Sequence, residues 1–133
     1  MSYTITRRQG NLNATLINAA FATTQQNSAD QANTGGRGVI VVLDVTAVNV
    51  GGTANNALTL LIQGKDSASG KYYTLHTGAP VSAVSTIVYM LYPDIPHAPA
   101  ITSRSLLPAT WRVIVKPSNA NPVSYTVGAS VIQ

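Results

Sequence analysis

The chain of 133 residues contains no cysteine and no glutamate. The absence of cysteine excludes disulfides and thiolate metal ligands. Only 9% of the residues are charged, against about 25% in ordinary globular domains. Eight lysines and arginines give a net charge of +4, but they are scattered and do not form the clustered footprint of a nucleic-acid-binding protein. A weakly charged surface favours association, which suits a protein that works within an assembly.

Long apolar segments are also missing. The N-terminus, "MSYTITRRQGN", has no apolar core of a secretory signal. The longest apolar run, "VIVVLDVTAVNV", has 12 residues and includes Asp44, whereas a membrane-spanning helix needs about 20. We therefore expect neither a signal peptide nor a membrane partner.

The part of the sequence that follows Gly36 is dominated by β-prone segments. Six segments combine β-branched or aromatic residues with flanking turn residues, and no amphipathic helix is visible. They are 38–48, 57–66, 71–77, 85–92, 110–116 and 123–132. This pattern predicts an all-β fold, an antiparallel β-sandwich of jelly-roll or Ig-like type. The loop "PSNANP" between the last two segments is typical of a closing hairpin.

The first 36 residues have a different composition, rich in Asn, Gln, Thr and Ala. Short strands are compatible with Tyr3 to Thr6 and with Ala14 to Phe21. The stretch from Thr23 to Gly36 is almost wholly polar and ends in two glycines, which predicts a mobile loop or arm. We therefore expect an extended N-terminal arm or loop region over 1–36 and a sandwich domain over 37–133.

The stretch "GKDSASGKYY" superficially resembles a phosphate-binding loop. That motif needs four residues between its glycines and a Ser or Thr after its lysine, before a helix. Here five residues separate Gly64 from Gly70, Tyr72 follows Lys71, and the next residues are β-prone. The sequence instead predicts a β-hairpin with "DSASG" as its loop.

No group of residues points to catalysis, to a metal or to a cofactor. His76 and His97 are the only histidines, and no acidic residue lies beside His76 in the sequence. We expect His76 to be solvated and His97 to pack within a loop. Asp44 should lie on a partly solvated side of its strand, and Trp111, alternating with Val113, should anchor the core. The chain is therefore expected not to be an enzyme.

Two segments fall outside the strand pattern and are candidate interfaces. One is the N-terminal segment with Tyr3, Arg7 and Arg8. The other is the proline-rich connection over 93–108, because long ordered loops in small domains are often functional. A crossover strap between two sheets explains that connection equally well. The full set of candidate interface residues is Tyr3, Arg7, Arg8, Arg37, Pro93, Ile95, Pro96, His97, Pro99 and Arg104.

Several segments, taken together, resemble a family of small structural proteins of tailed bacteriophages. They are "NSADQAN", "RGVIVVLDVTAV", "LIQGKDSASGKYYTL", "LPATWRVIV" and "SYTVGASVI". The resemblance implies a head decoration (cement) protein made in the host cytoplasm. Such a protein would bind the major capsid protein on the outer surface of the virion head, next to other copies or as a homo-oligomer, and would stabilise the head. Two alternatives stay open: a head–tail connector or tail component, and a carbohydrate- or receptor-binding module on the virion.

Overall fold

The computed structural model describes residues 12–48, 56–93, 98 and 100–132. These residues form ten β-strands and contain no helix. The strands are β1 (Leu12–Ala22), β2 (Gln26–Asn27), β3 (Gln31–Ala32), β4 (Gly38–Val48), β5 (Leu58–Lys65), β6 (Tyr72–Thr77), β7 (Ser85–Leu91), β8 (Thr102–Ser103), β9 (Thr110–Pro117) and β10 (Val123–Ile132).

The strands form two sheets that pack together as a β-sandwich. Sheet A has the order β1-β10-β4-β7-β8, and sheet B has the order β2-β9-β5-β6, with β3 also paired to β9. All pairs are antiparallel except β7 with β8. If β2 and β3 are counted as one interrupted strand and β8 is left out, eight strands remain, which can be numbered 1 to 8 along the chain. Sheet A then has the order 1-8-3-6, and sheet B has the order 2-7-4-5. This is the jelly-roll order, and it resolves the choice between jelly-roll and Ig-like sandwiches.

Alternation along the strands places the core between the sheets. In β4, Val39, Val41, Leu43 and Val45 are buried while the residues between them are partly exposed. β10 follows the same pattern, and β9 does so except at Ile114, which is buried although it lies on the outer side. Trp111 is the first residue of the inward row of β9. A period of two is what a strand with one buried face requires, and the expected core role of Trp111 is confirmed.

The six strands expected after Gly36 are confirmed, and so is the strand expected at Ala14 to Phe21, which lies within β1. The arm expected up to residue 36 needs a correction. β1 pairs with β10 along most of its length, and β2 and β3 pair with β9. Between β2 and β3, the Ser28 hydroxyl accepts a hydrogen bond from the Val113 amide at 2.9 Å and so replaces a backbone carbonyl. Within residues 12–32, β1 thus belongs to sheet A, while β2 and β3 belong to sheet B. The described sandwich therefore begins at Leu12 rather than at residue 37. The strand expected at Tyr3 to Thr6 lies outside the described residues.

The loop between β9 and β10 is not a hairpin, because the two strands lie in different sheets. The buried Asn56 holds this crossover. Its Nδ2 donates to the carbonyls of Asn119 and Asn121 at 3.1 and 2.9 Å, and its Oδ1 accepts from the Ser118 amide at 2.9 Å. The turn residues of "PSNANP" predicted a hairpin. The hydrogen bonds of the Asn56 side chain instead hold this loop in a path that crosses from one sheet to the other.

The expected hairpin at "GKDSASGKYY" is confirmed as the connection of β5 to β6. The Asp66 amide donates to the Lys71 carbonyl at 2.8 Å, and the Asp66 carboxylate accepts from Ser69. Gly70 has a φ of 72°, a conformation that favours glycine. Hydrogen bonds from Ser69 and from the Ala68 amide lower the pKa of Asp66.

Candidate partner-binding surface

The outer side of sheet A carries an apolar stripe on a nearly uncharged surface. Ile40 pairs with Met90, and Val42 pairs with Val88, across β4 and β7. These side chains point away from the core; three are partly exposed and Val88 is 44% exposed. We call these four residues and their flanking polar neighbours on β1, β4, β7 and β10 the sheet A face.

The polar neighbours on the sheet A face are small and neutral. Asn13, Thr15 and Asn18 of β1 pair with Ser130, Gly128 and Thr126 of β10. Asp44 is the one charged residue among the described residues of this face, and its carboxylate accepts a hydrogen bond from Thr86 at 2.9 Å. The sequence expectation that Asp44 lies near solvent on the outer side of its strand is confirmed. Because this face carries one charged residue in its described part, a partner could cover it without burying many charges, but its amides and hydroxyls would need hydrogen bonds from that partner.

Four of the six exposed large apolar side chains in the described residues lie in or beside β7 and β8. Val84, Val88, Ile101 and Leu106 are all exposed and lie in β7 or in the connections that flank β7 and β8. Exposed apolar side chains that lie singly need no explanation, but a contiguous group marks an interaction site. Val88 belongs to the stripe, and the hydrogen bond from the Met90 amide to the Ile101 carbonyl places Ile101 at the end of the stripe, toward the connection between β7 and β9.

That connection is fastened to the rest of the sandwich. In its described part, the Ala98 carbonyl accepts from the amides of Ile101 and Thr102 at 2.9 and 2.8 Å. The Ile101 carbonyl accepts from the Met90 amide of β7, and the Leu107 amide donates to the Arg37 carbonyl at 3.0 Å. The expected crossover strap is therefore present, since the segment leaves β7 of sheet A and enters β9 of sheet B. Its role in binding stays a prediction.

The structure brings three of the candidate interface residues to this strap. Pro93 follows β7 and is half-buried, while Arg104 follows β8 and is exposed. Arg37 is exposed, and its backbone binds Leu107 of the strap and Ile132 of β10. The other candidates lie outside the described residues: Tyr3, Arg7, Arg8, Ile95, Pro96, His97 and Pro99.

A cleft of about 370 Å³ lies between β6 and the strap and contains a histidine–serine pair. His76 Nδ1 is 2.7 Å from Ser103 Oγ, and the His76 ring contacts the Tyr89 ring with centroids 5.7 Å apart. The expectation of a solvated His76 is wrong, because the residue is 3% exposed. Burial lowers the pKa of His76, and a hydrogen bond to the backbone of Ala100 opposes this in part.

The pair links the two sheets through the strap. In the described part of the chain no carboxylate hydrogen-bonds to His76, so the described residues form no Ser–His–Asp arrangement. The geometry supports a structural bond between β6 of sheet B and β8 of sheet A.

Sheet B presents a different surface, with charged and aromatic side chains joined together. The Asp30 carboxylate accepts from the Tyr72 hydroxyl at 2.7 Å and from Lys65 Nζ at 3.0 Å. The Arg112 guanidinium stacks on the Tyr72 ring at 3.5 Å, and its Nε donates to Gln63 at 3.0 Å. Hydrogen bonds from Tyr72 and Lys65 lower the pKa of Asp30, and the Asp30 carboxylate raises the pKa of Lys65.

The described aromatic residues do not form one exposed platform. Trp111, Tyr89 and Tyr125 are buried in the core. Tyr72 is covered by Arg112, and Tyr73, in the next position of β6, lies on the opposite side, over Gly64. Carbohydrate-binding surfaces usually stack sugars on neighbouring exposed rings, and this arrangement does not favour that alternative.

Sequence reasoning missed three features of the site. The Asp30 cluster joins residues that are 42 positions apart, and no local motif predicts such a contact. The His76–Ser103 bond likewise depends on the strap returning beside β6. The apolar stripe was not predicted, because the residues of "GVIVV" are apolar on both sides of the strand. A strand of this kind gives no indication from sequence of which side is exposed.

Neither a metal site nor a membrane-spanning helix is found in the described ranges. Those residues contain no group of three or more His, Cys, Asp or Glu side chains able to hold a metal ion. None of their segments is a helix long and apolar enough to cross a membrane. No known family model, curated protein or solved structure matches the chain.

Proposed function

We propose that this chain is a non-enzymatic structural protein of a tailed-phage virion, most specifically a decoration protein that binds the outer surface of the head. The observation that carries the proposal is the sheet A face, a nearly uncharged surface with a central apolar stripe and exposed apolar residues at its border. The sequence resemblance to small phage structural proteins supplies the identity of the partner, the major capsid protein.

The physical argument starts from what a shell-binding protein needs. Packaged DNA presses outward, so a stabilising protein must hold neighbouring capsid subunits together. Each contact of a multivalent clamp raises the effective concentration of the next, so individual contacts need not be strong. An apolar stripe with neutral polar neighbours suits this task, because it can be covered without burying unpaired charge.

The fold is compatible with this proposal but does not decide it. Jelly rolls occur in viral capsid proteins, in lectins and in cupins, and a fold does not imply a function. Arg37, Arg104 and the strap border the stripe on one side, where arginine forks are suited to bidentate contacts with carboxylates of a partner. The rigid sandwich would act as the body of the clamp.

The test is a comparison of particles with and without this protein. We expect particles that lack it to release their DNA at lower temperature, or after chelation, and to regain resistance when purified protein is added back. Equal resistance of both particles would contradict the proposal. The copy number separates it from the connector alternative: hundreds of copies per particle are expected for decoration, and about a dozen for a connector or a tail ring.

A further inference from the structure

The four edges of the two sheets are not equally protected. An open edge presents unpaired backbone groups that can bind another strand, and proteins block such edges with charge, proline, bulges, short strands or covering segments. On sheet A, the β8 edge has only two residues. On sheet B, the β2 and β3 edge is split into two short strands around Asp30. The β6 edge lies beside the strap and is bonded to it through His76.

β1 differs from these edges in its length and its lack of charge, although it carries two bulges, one between Thr15 and Ile17 and one between Ala19 and Ala22. It has 11 residues, "LNATLINAAFA", with no charged residue, no proline and no glycine. It pairs with β10 on one side, and no other described strand pairs with its second side. In an antiparallel strand about half of the residues direct their backbone groups to each side. β1 therefore offers donors and acceptors along at most about 36 Å, at 3.3 Å per residue, in a row that its two bulges interrupt.

The end of β1 carries a second, independent signal. Phe21 has a φ of 50°, which is rare for a bulky residue and marks a site worth a functional hypothesis. β1 has an extra residue relative to β10 between Ala19 and Ala22, and bulges redirect side chains in this way. The Phe21 amide is held by the Ser124 hydroxyl at 2.9 Å, and the side chain is 59% exposed. The backbone is thus held in a strained conformation, and an exposed aromatic ring lies near the end of β1.

We infer that β1 is the contact between two copies of this chain, which pair β1 to β1 in antiparallel fashion around a two-fold axis. In a two-fold contact the same strand of both copies forms the interface, so charges on that strand would face like charges on the partner's copy of the strand. β1 carries no charge and meets this condition, while the charges of the described chain lie on other elements. The exposed Asn and Thr side chains of β1 pair well across strands, and Phe21 extends the contact at both ends.

The geometry of this contact has a consequence for function. A two-fold axis that makes two edge strands antiparallel stands perpendicular to the sheet, so both sheet A faces point to the same side. The dimer then presents two copies of the apolar stripe in one continuous sheet. The inference does not need the proposed function, but a bivalent protein with both stripes on one side could bridge two subunits of a shell.

The test uses opposite charges at two exposed positions of β1. Thr15 and Asn18 are exposed and lie near the middle of the strand, so substitutions there leave the monomer fold intact. We expect the full chain to sediment as a dimer of the 13.9 kDa polypeptide. The Thr15→Lys/Asn18→Lys and Thr15→Asp/Asn18→Asp variants should each raise the dimer dissociation constant by about tenfold or more, since like charges face each other across the axis.

Mixing the lysine variant with the aspartate variant is the decisive experiment for contact through β1. Lysine then faces aspartate, and native mass spectrometry should detect the mixed dimer in preference to either homodimer. A control variant, Ala79→Lys/Ala83→Lys, adds the same charge at exposed positions of the loop before β7 and should dimerise as the natural chain does. Phe21→Ser should also weaken the dimer, with an unchanged thermal midpoint of the monomer.

Several results would overturn the inference. A full chain that stays monomeric at its highest soluble concentration would do so. If a chain lacking residues 2–11 dimerises while the full chain does not, the edge is occupied by the protein's own N-terminal segment. A dimer that neither charge variant weakens uses another surface. A loss of dimer that is not restored by mixing the variants indicates damage to the fold rather than repulsion at the edge.

Discussion

The apolar side chains on the outer surfaces of the two sheets differ in how much of them is exposed. On sheet B, Leu61 and Ile114 pair across β5 and β9 on the outer side, yet Ile114 is only 2% exposed. Arg112 and Lys116 flank Ile114 along its strand, and the aliphatic stems of such side chains cover apolar surface. On sheet A, the stripe around Val88 has no long charged neighbours and stays open. The outer apolar residues of sheet B are therefore shielded within the chain, while those of sheet A stay partly exposed.

The largest expected difference concerns stability. Ile114→Ala on sheet B should lower the free energy of unfolding by about 2–5 kcal/mol, because it leaves a cavity beneath the charged cover. Val88→Ala on sheet A should change it by about 0.5 kcal/mol or less, as exposed positions generally do. Chemical denaturation of the two variants measures both values. Equal losses would show that the stripe on sheet A is already covered within the monomer.

The second difference concerns binding. Val88→Lys should weaken retention of the protein on purified particles by about tenfold or more, the equivalent of 1.4 kcal/mol, since a charge would enter an apolar contact. The matched variant on sheet B, Lys116→Glu, reverses a charge at an exposed position and should leave retention unchanged. Retention measured by sedimentation with the particles distinguishes the two. The reverse result, with Lys116→Glu weakening and Val88→Lys neutral, would assign binding to sheet B.

The third difference concerns the bond that joins the sheets. Burial lowers the pKa of His76 below its ordinary 6.5, so the folded state binds fewer protons than the unfolded chain in the range below pH 6.5. Stability contributed by neutral His76 is therefore complete above pH 6.5 and is lost as the pH falls through the lowered value. We expect His76→Gln to remove this part of the pH dependence while His97 remains as an internal control. Unfolding curves at a series of pH values from 7.5 downward check this, and parallel curves for both proteins would contradict it.

The smallest expected effect concerns the ion pair between Lys65 and Asp30 on sheet B. Lys65→Ala removes the ion pair with Asp30, which lies on an exposed part of sheet B. Exposed pairs contribute little to stability and are screened by salt. The thermal midpoint should change slightly at low ionic strength and not at all at high ionic strength. A large change that persists in salt would mean that Asp30 organises the β2–β3 edge through more than this pair.

The sequence predicts the middle and the end of this fold better than its beginning. The strands after Gly36 follow from β-branched residues and turn signals, and the hairpin follows from Asp66 and Gly70. β1 was expected only in part, because Asn, Thr and Ala give a weak strand signal, and its pairing with β10 joins residues more than 100 positions apart. Periodicity identifies a buried side but not an exposed apolar one. The contrast between the two outer surfaces therefore needs the sheet order.

The absence of cysteine makes the central claim directly measurable on intact particles. A single cysteine at Val88→Cys probes the sheet A face, and one at Lys116→Cys probes sheet B, each in an otherwise cysteine-free chain. Labelling of the free proteins with a maleimide should modify both positions. On particles, we predict that the cysteine at position 88 is protected and the one at position 116 still reacts. Equal labelling of position 88 on particles and in free protein would contradict the assignment of the sheet A face as the surface that binds the shell.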